Sequence, residues 1–163
     1  MPMPRILIAD DEASIRRAVC GFIESRSQFE VCEAVDGTEA FQKAVLLNPD
    51  VIVLDLSMPN ANGVEVALRL RDLLPSTPVV LYTMFDEAFG NSPVRTLGIA
   101  AIVRKSDGVG ALLDWIEALL DAQDALAWND SYLCAKSGSS SFASGSFMLG
   151  GRSKPKYTSS GCD

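Results

Sequence analysis

Four short apolar runs, each bounded by polar or turn-forming residues, constrain this fold more than any other feature. They are Ile6-Leu7-Ile8-Ala9, Val51-Ile52-Val53-Leu54, Val79-Val80-Leu81-Tyr82 and Ala100-Ala101-Ile102-Val103. Each is apolar at every position, the pattern of a strand buried on both faces. Between them, apolar residues recur with a helical period. Ile15, Ala18, Val19, Phe22 and Ile23 share one helix face. Ala40, Phe41, Ala44 and Val45 mark a second helix, entered through Asp36-Gly37-Thr38. Val66, Ala67, Leu70, Leu73 and Leu74 mark a third, and Leu112, Leu113, Ile116, Leu119 and Leu120 a long last one. A further strand from Phe29 to Val35 is interrupted by Glu30 and Glu33 and belongs at a sheet edge. Strands alternating with helices require a parallel sheet covered on both faces.

The expected architecture is therefore α/β: a doubly wound, five-stranded parallel sheet of flavodoxin-like order 2-1-3-4-5. A helix over 87–97 completes the alternation, but it contains Gly90 and Pro93. An interior proline costs about 3 kcal/mol, so that element is expected to be short, bent or mobile. After Ala125 the periodicity stops. Residues 130–163 include ten serines and five glycines. Such a segment cannot bury enough apolar surface to offset its ordering entropy. The expectation is a folded domain over 1–125 and a disordered Ser/Gly-rich tail over 126–163.

Composition removes several classes of function. No apolar run approaches the length of a membrane span. The opening Met1-Pro2-Met3-Pro4-Arg5 precedes only a short apolar stretch before two aspartates, which argues against a secretory signal and for a cytoplasmic protein. Four cysteines without a CxxC pair, in a chain with no histidine, argue against structural zinc and exclude a Ser-His-Asp triad. Cys20 and Cys32 read as reduced core residues. Nucleotide fingerprints (GxxxxGK[ST], GxGxxG) are absent. Net charge is −7, and through Asn129 ten basic residues face nineteen acidic ones. That acidity argues against direct nucleic-acid binding by the domain.

The chemistry collects at one edge of the expected sheet, where parallel strands end and ligands bind. Asp10-Asp11 follow the first run, Asp55 the second, Thr83 the third and Lys105 the fourth. Two unit charges about 4 Å apart repel by about 4 kcal/mol at an effective dielectric of about 20, so three clustered carboxylates call for a cation. Mg²⁺ prefers oxygen ligands; Asp10, Asp11, Asp55 and the carbonyl of Ser57 supply them. Asp55 is the best candidate nucleophile, forming an aspartyl phosphate. Mg²⁺ and Lys105 would neutralise the equatorial phosphoryl oxygens, and Thr83 would donate a hydrogen bond to one of them. Any one of these groups alone reads as a solvated loop residue; together they do not. Pro59-Asn60-Ala61-Asn62-Gly63 reads as the loop that starts the next helix, with Gly63 supplying a positive φ.

Five segments, in this order and spacing, carry a resemblance. They are Ile6-Leu7-Ile8-Ala9-Asp10-Asp11-Glu12, Glu33-Ala34-Val35-Asp36-Gly37, Val51-Ile52-Val53-Leu54-Asp55-Leu56-Ser57-Met58-Pro59, Thr83-Met84 and Arg104-Lys105-Ser106. From about Arg5 to Leu120 the chain resembles the receiver domain of two-component response regulators. The resemblance implies that Asp55 is phosphorylated, that Asp10 and Asp11 hold Mg²⁺, that Thr83 is the switch hydroxyl and that Lys105 pairs with the phosphate. It implies a phosphohistidine donor on a sensor histidine kinase or phosphotransfer protein, and signalling to a downstream protein by a Mg²⁺-dependent conformational switch. Such a module assists its own phosphorylation and dephosphorylation without being an enzyme in the usual sense. A homodimer stays open. Two positions depart from the pattern: Ile102 stands where an aromatic is frequent, and Ser106 where many receivers have proline. Ser106 with Thr83-Met84 is similar to receivers joined to a helix-turn-helix output domain, whose place is taken here by the Ser/Gly-rich tail. Two alternatives remain: a receiver-like interaction domain that does not switch, and a metal-dependent phosphotransferase. Ser57, where the latter enzymes carry a second aspartate, weighs against it.

Overall fold

The computed structural model describes residues 3–26, 28–84 and 97–136, with side chains up to Ala125. In chain order the elements are β1 (Arg5–Ala9), α1 (Ala13–Arg26), β2 (Glu30–Ala34), α2 (Gly37–Leu47), β3 (Val51–Leu54), α3 (Gly63–Leu73), β4 (Val79–Thr83), β5 (Ile99–Arg104), a 3₁₀ turn (Lys105–Asp107) and α4 (Gly108–Lys136). The sheet order is β2-β1-β3-β4-β5, and every pairing is parallel. Nearly all of the helix expected over 87–97 lies outside the described residues.

Side chains alternate across each strand, so every central strand feeds two cores. Leu7, Ala9, Ile52, Leu54 and Leu81 face one side, where α2 and α3 add Ala40, Ala44, Val66, Ala67 and Leu70. Ile6, Ile8, Val51, Val53, Val80 and Tyr82 face the other, where α1 and α4 add Val19, Ile23, Leu112, Leu113 and Ile116. Cys20 belongs to this second core, and burial pushes its thiol up to about 12; it and the half-buried Cys32 are free thiols.

Two expectations need correction. Residues 100–103 do not form a strand buried on both faces. β5 is the second edge of the sheet, and its burial alternates, with Ala100 exposed and Ile102 half-buried. The run reads as uniformly apolar because two of its four residues are alanines, which an edge tolerates on its open side. The helix that begins at Gly108 also continues through 126–136, past the expected boundary at Ala125.

Local signals fix the other helix ends. Asp36 caps α2 by accepting from the Glu39 amide. Asn62 and Glu65 form a reciprocal capping box at the start of α3. At the rim where the strands begin, Arg5 Nη1 donates to the Leu47 carbonyl, Thr77 Oγ1 to that of Pro49, and Gln123 Nε2 to those of Asp50 and Ser76.

Gly21 lies mid-helix on the exposed side of α1, with open space where a Cβ would go. Gly21→Ala should therefore stabilise the protein by about 0.8–1 kcal/mol, the propensity difference in a helix interior. Urea unfolding checks this; an unchanged or lower midpoint would refute it.

Candidate functional site

The opposite rim, where the strands end, holds the charged residues. The β1 ladder continues one step past Ala9: the Asp10 amide donates to the Ala34 carbonyl at 3.3 Å, and the Asp55 amide to the Ala9 carbonyl at 2.9 Å. Asp10 and Asp55 thus leave adjacent strands at the same height. Both are buried, while Asp11 is exposed. One carboxylate oxygen from each of Asp10, Asp11 and Asp55 falls within 4.8 Å of the others.

Lys105 opens the turn after β5 and reaches into this cluster. Its Nζ lies 2.7 Å from Asp10 Oδ2 and 3.3 Å from Asp55 Oδ1, with only 8% of the side chain exposed. The second Asp10 oxygen, Oδ1, accepts from the Glu12 amide at 2.9 Å. Thr83 is fully buried at the end of β4, in register with Arg104. Ser57 stands exposed in the loop two residues past Asp55. Asp10, Asp11, Asp55 and Lys105 are thus drawn into one cluster, with Thr83 and Ser57 on the adjoining strand end and loop of the same rim.

The electrostatics follow from burial. Desolvation raises the Asp55 pKa; Lys105 pulls it down and Asp10 pushes it up, and the net shift is upward. For Lys105, burial lowers the pKa, but the hydrogen bond it donates to Asp10 and the field of Asp55 outweigh it, and the net shift is again upward. Three carboxylates against one ammonium leave excess negative charge. The donor set is all oxygen, which suits a hard divalent cation such as Mg²⁺ and not zinc or copper. The residues present fit that ion.

Gly63 has its own part here. It is not among the positive-φ residues, contrary to expectation. A Cβ on it would lie 2.3 Å from the Asp55 carbonyl oxygen. Glycine is required there by close approach, which lets α3 start directly against the backbone of Asp55.

The sequence profile described as "Response regulator receiver domain" matches residues 6–117. This chain belongs to the response regulator receiver family. Among curated relatives, the transcriptional regulatory protein LnrK of Bacillus subtilis is 36% identical over 87 residues, 53% of this chain and 40% of that protein. The oxygen regulatory protein NreC of Staphylococcus aureus is 38% identical over 85 residues, 51% of this chain and 39% of that protein. The chain thus spans about two fifths of the length of the curated relatives it matches. Among solved structures, the Thermotoga maritima response regulator TrrA, in complex with Mg²⁺-BeF, is 30% identical with a TM-score of 0.66, covering 72% of this chain and all of that one. A two-component response regulator of the LuxR family from Aurantimonas is 29% identical with a TM-score of 0.68, covering 74% of this chain and 87% of that one. A CheY-like receiver from Methanospirillum hungatei, 23% identical, shares the fold with a TM-score of 0.71, covering 76% of this chain and 98% of that one.

One residue that contacts the site in this receiver escaped the sequence reading. Arg16 Nη1 donates to the Asp10 carbonyl at 2.8 Å. A signal for it existed. A helix N-terminus disfavours cations, so an arginine in the first turns of α1, just after an aspartate pair, needs a local partner.

Proposed function

We propose that this receiver accepts a phosphoryl group on Asp55 and signals by protein contact. An Asp55 carboxylate oxygen attacks the phosphorus of a phosphohistidine on a sensor histidine kinase or phosphotransfer protein. The new O–P bond forms as the P–N bond breaks, and its electron pair stays on the imidazole nitrogen. The observation that carries this reading is the convergence of Asp10, Asp11 and Asp55 within 4.8 Å under a buried lysine that touches two of them.

Each residue has a role. Burial raises the Asp55 pKa, which makes its carboxylate the more basic nucleophile. Asp10, Asp11 and Asp55 would hold Mg²⁺ with the Ser57 carbonyl; the bound ion supplies charge neutralisation to the phosphoryl oxygens. Lys105 supplies a further positive charge beside Asp55. Thr83, at the adjacent strand end, donates its hydroxyl to a phosphoryl oxygen once one is present. Phosphorylation adds about −1.5 to −2 charge and three acceptor oxygens, which redistributes the contacts of Lys105 and Thr83 and so biases the β4 and β5 ends. No described helix is long and apolar enough to cross a membrane. The protein is a phosphoacceptor that assists its own chemistry, not an enzyme with turnover on an external substrate.

The test is phosphorylation by acetyl phosphate, read on a Phos-tag gel. Wild type should shift with Mg²⁺ and not with EDTA, and Asp55→Asn should not shift in either. An unshifted wild type, or a shifted Asp55→Asn protein, would overturn the assignment.

A further inference from the structure

Arg16 brings a positive charge beside a site built to attract a cation, and into a helix start that disfavours one. Its side chain is nonetheless only 12% exposed and doubly engaged. Nε donates to Glu33 Oε2 on β2 at 2.8 Å, and Nη1 donates to the Asp10 carbonyl at 2.8 Å. Asp10 is thereby held at every polar atom. Its amide meets Ala34, its carbonyl Arg16, Oδ1 the Glu12 amide and Oδ2 Lys105. The Asp10 carbonyl belongs to the planar peptide that joins it to Asp11. Fixing that plane fixes where Asp11 leaves the strand.

We propose that Arg16 is a positioning residue for the metal site: it locks the Asp10–Asp11 peptide, and with it both carboxylates, while Glu33 aims the guanidinium. The inference rests on the reading of the Asp10, Asp11 and Asp55 cluster as the Mg²⁺ site. A planar fork can bridge Glu33 and a carbonyl at once, whereas a lysine ammonium is a point charge without that geometry.

Charge and positioning predict opposite signs. If Arg16 mattered only through its field, removing it would tighten Mg²⁺ binding. If it orients the ligands, removing it weakens binding, as loss of an outer-shell partner typically does by about 10–100-fold. The experiment is calorimetric titration of the full chain with Mg²⁺, paired with thermal unfolding in EDTA. Arg16→Met and Arg16→Lys should each weaken binding by about 10-fold, and Glu33→Gln should shift it in the same direction by less. Val19→Ala, which truncates a core side chain of the same helix that touches none of the site residues named above, should lower the melting temperature and leave Mg²⁺ affinity unchanged. Should Arg16→Met fail to fold, Arg16→Lys and Glu33→Gln carry the test. Unaltered affinity in Arg16→Lys, tighter binding in Arg16→Met, or equal weakening in Val19→Ala would each overturn the role of Arg16. Absence of Mg²⁺ binding by wild type would instead overturn the reading of the site itself.

Discussion

Lys105→Met should destabilise the Mg²⁺-free protein by about 3 kcal/mol at pH 7, the lower end of the cost of orphaning a buried charge, and part of that loss should return as pH falls. Asp10, Asp55 and Lys105 side chains are all less than a tenth exposed, so water screens them little. Without the ammonium, two buried carboxylates lose the cation that pairs with both of them. The sign of the pH dependence follows from the direction of the shift. The folded-state pKa of Asp55 already lies above its ordinary value. Its ionisation therefore opposes folding: the protonated carboxyl carries no penalty at low pH, and the penalty grows as pH rises through the raised pKa. Removing Lys105 raises that pKa further and extends the penalty. Lys105 behaves in the complementary way. Its raised pKa means that its stabilising contribution is complete below the unfolded value of 10.5 and is lost as pH climbs through the folded one. Urea unfolding at pH 5 and pH 7 separates these effects. The variant should gain stability on acidification relative to wild type, and millimolar Mg²⁺ should recover much of the loss at pH 7 by binding only the native state. A variant as stable as wild type at pH 7 in EDTA would refute the account.

Gly37→Ala should cost about 3 kcal/mol even though alanine is the better helix former. Propensity favours alanine by less than the about 1 kcal/mol of a helix interior, since Gly37 is the first residue of α2. Against that, the new Cβ would meet the Ala61 carbonyl oxygen at 1.9 Å and its carbon at 2.7 Å. Backbone cannot rotate aside as a side chain can, so α2 and the loop after β3 must separate. Overpacking of this kind costs roughly 1–3 kcal/mol or more. The separation would also pull on Asn60, whose Nδ2 donates to Asp36 Oδ2 at 2.8 Å, and so loosen the N-cap of α2. Gly63→Ala meets the Asp55 carbonyl oxygen at 2.3 Å. It should destabilise similarly and, unlike Gly37→Ala, slow phosphorylation in proportion to how far Asp55 moves. Melting temperatures of the two variants, with Gly21→Ala as the opposite case, give the comparison; a stabilised Gly37→Ala protein would contradict it.

The central strands were legible because burial on both faces writes itself as unbroken apolar runs, and the candidate site because its residues stand at or just past the ends of such runs. Asp10, Asp55, Thr83 and Lys105 could be placed at one rim without coordinates, since a parallel sheet leaves no other arrangement of its strand ends. Edges were harder. Ala100 and Ala101 look alike in sequence, yet one faces outward and the other inward, because alanine carries no burial preference strong enough to reveal the alternation. Close approaches were not legible at all. The demand for glycine at 37 and 63 arises from atoms distant along the chain, Ala61 and Asp55 respectively, and no local pattern encodes it. At Gly63 the sequence points to a turn with positive φ, whereas the need is steric room beside Asp55. Arg16 was passed over because helix periodicity sorts residues by apolar face and is silent about which polar residue reaches back to its own N-terminal loop.

The stitched rim beneath the sheet has a mechanical meaning. Gln123 fastens α4 to the carbonyls of Asp50 and Ser76, while the same helix begins just after Lys105. At about 1.5 Å per residue, the fastening lies roughly 22 Å from the helix start. Between the two, Leu112, Leu113 and Ile116 bury the first half of α4 in the second core, so that half is gripped along its length. If the proposed phosphorylation displaced Lys105, the load would therefore reach α4 through its packed half and not through a loose end.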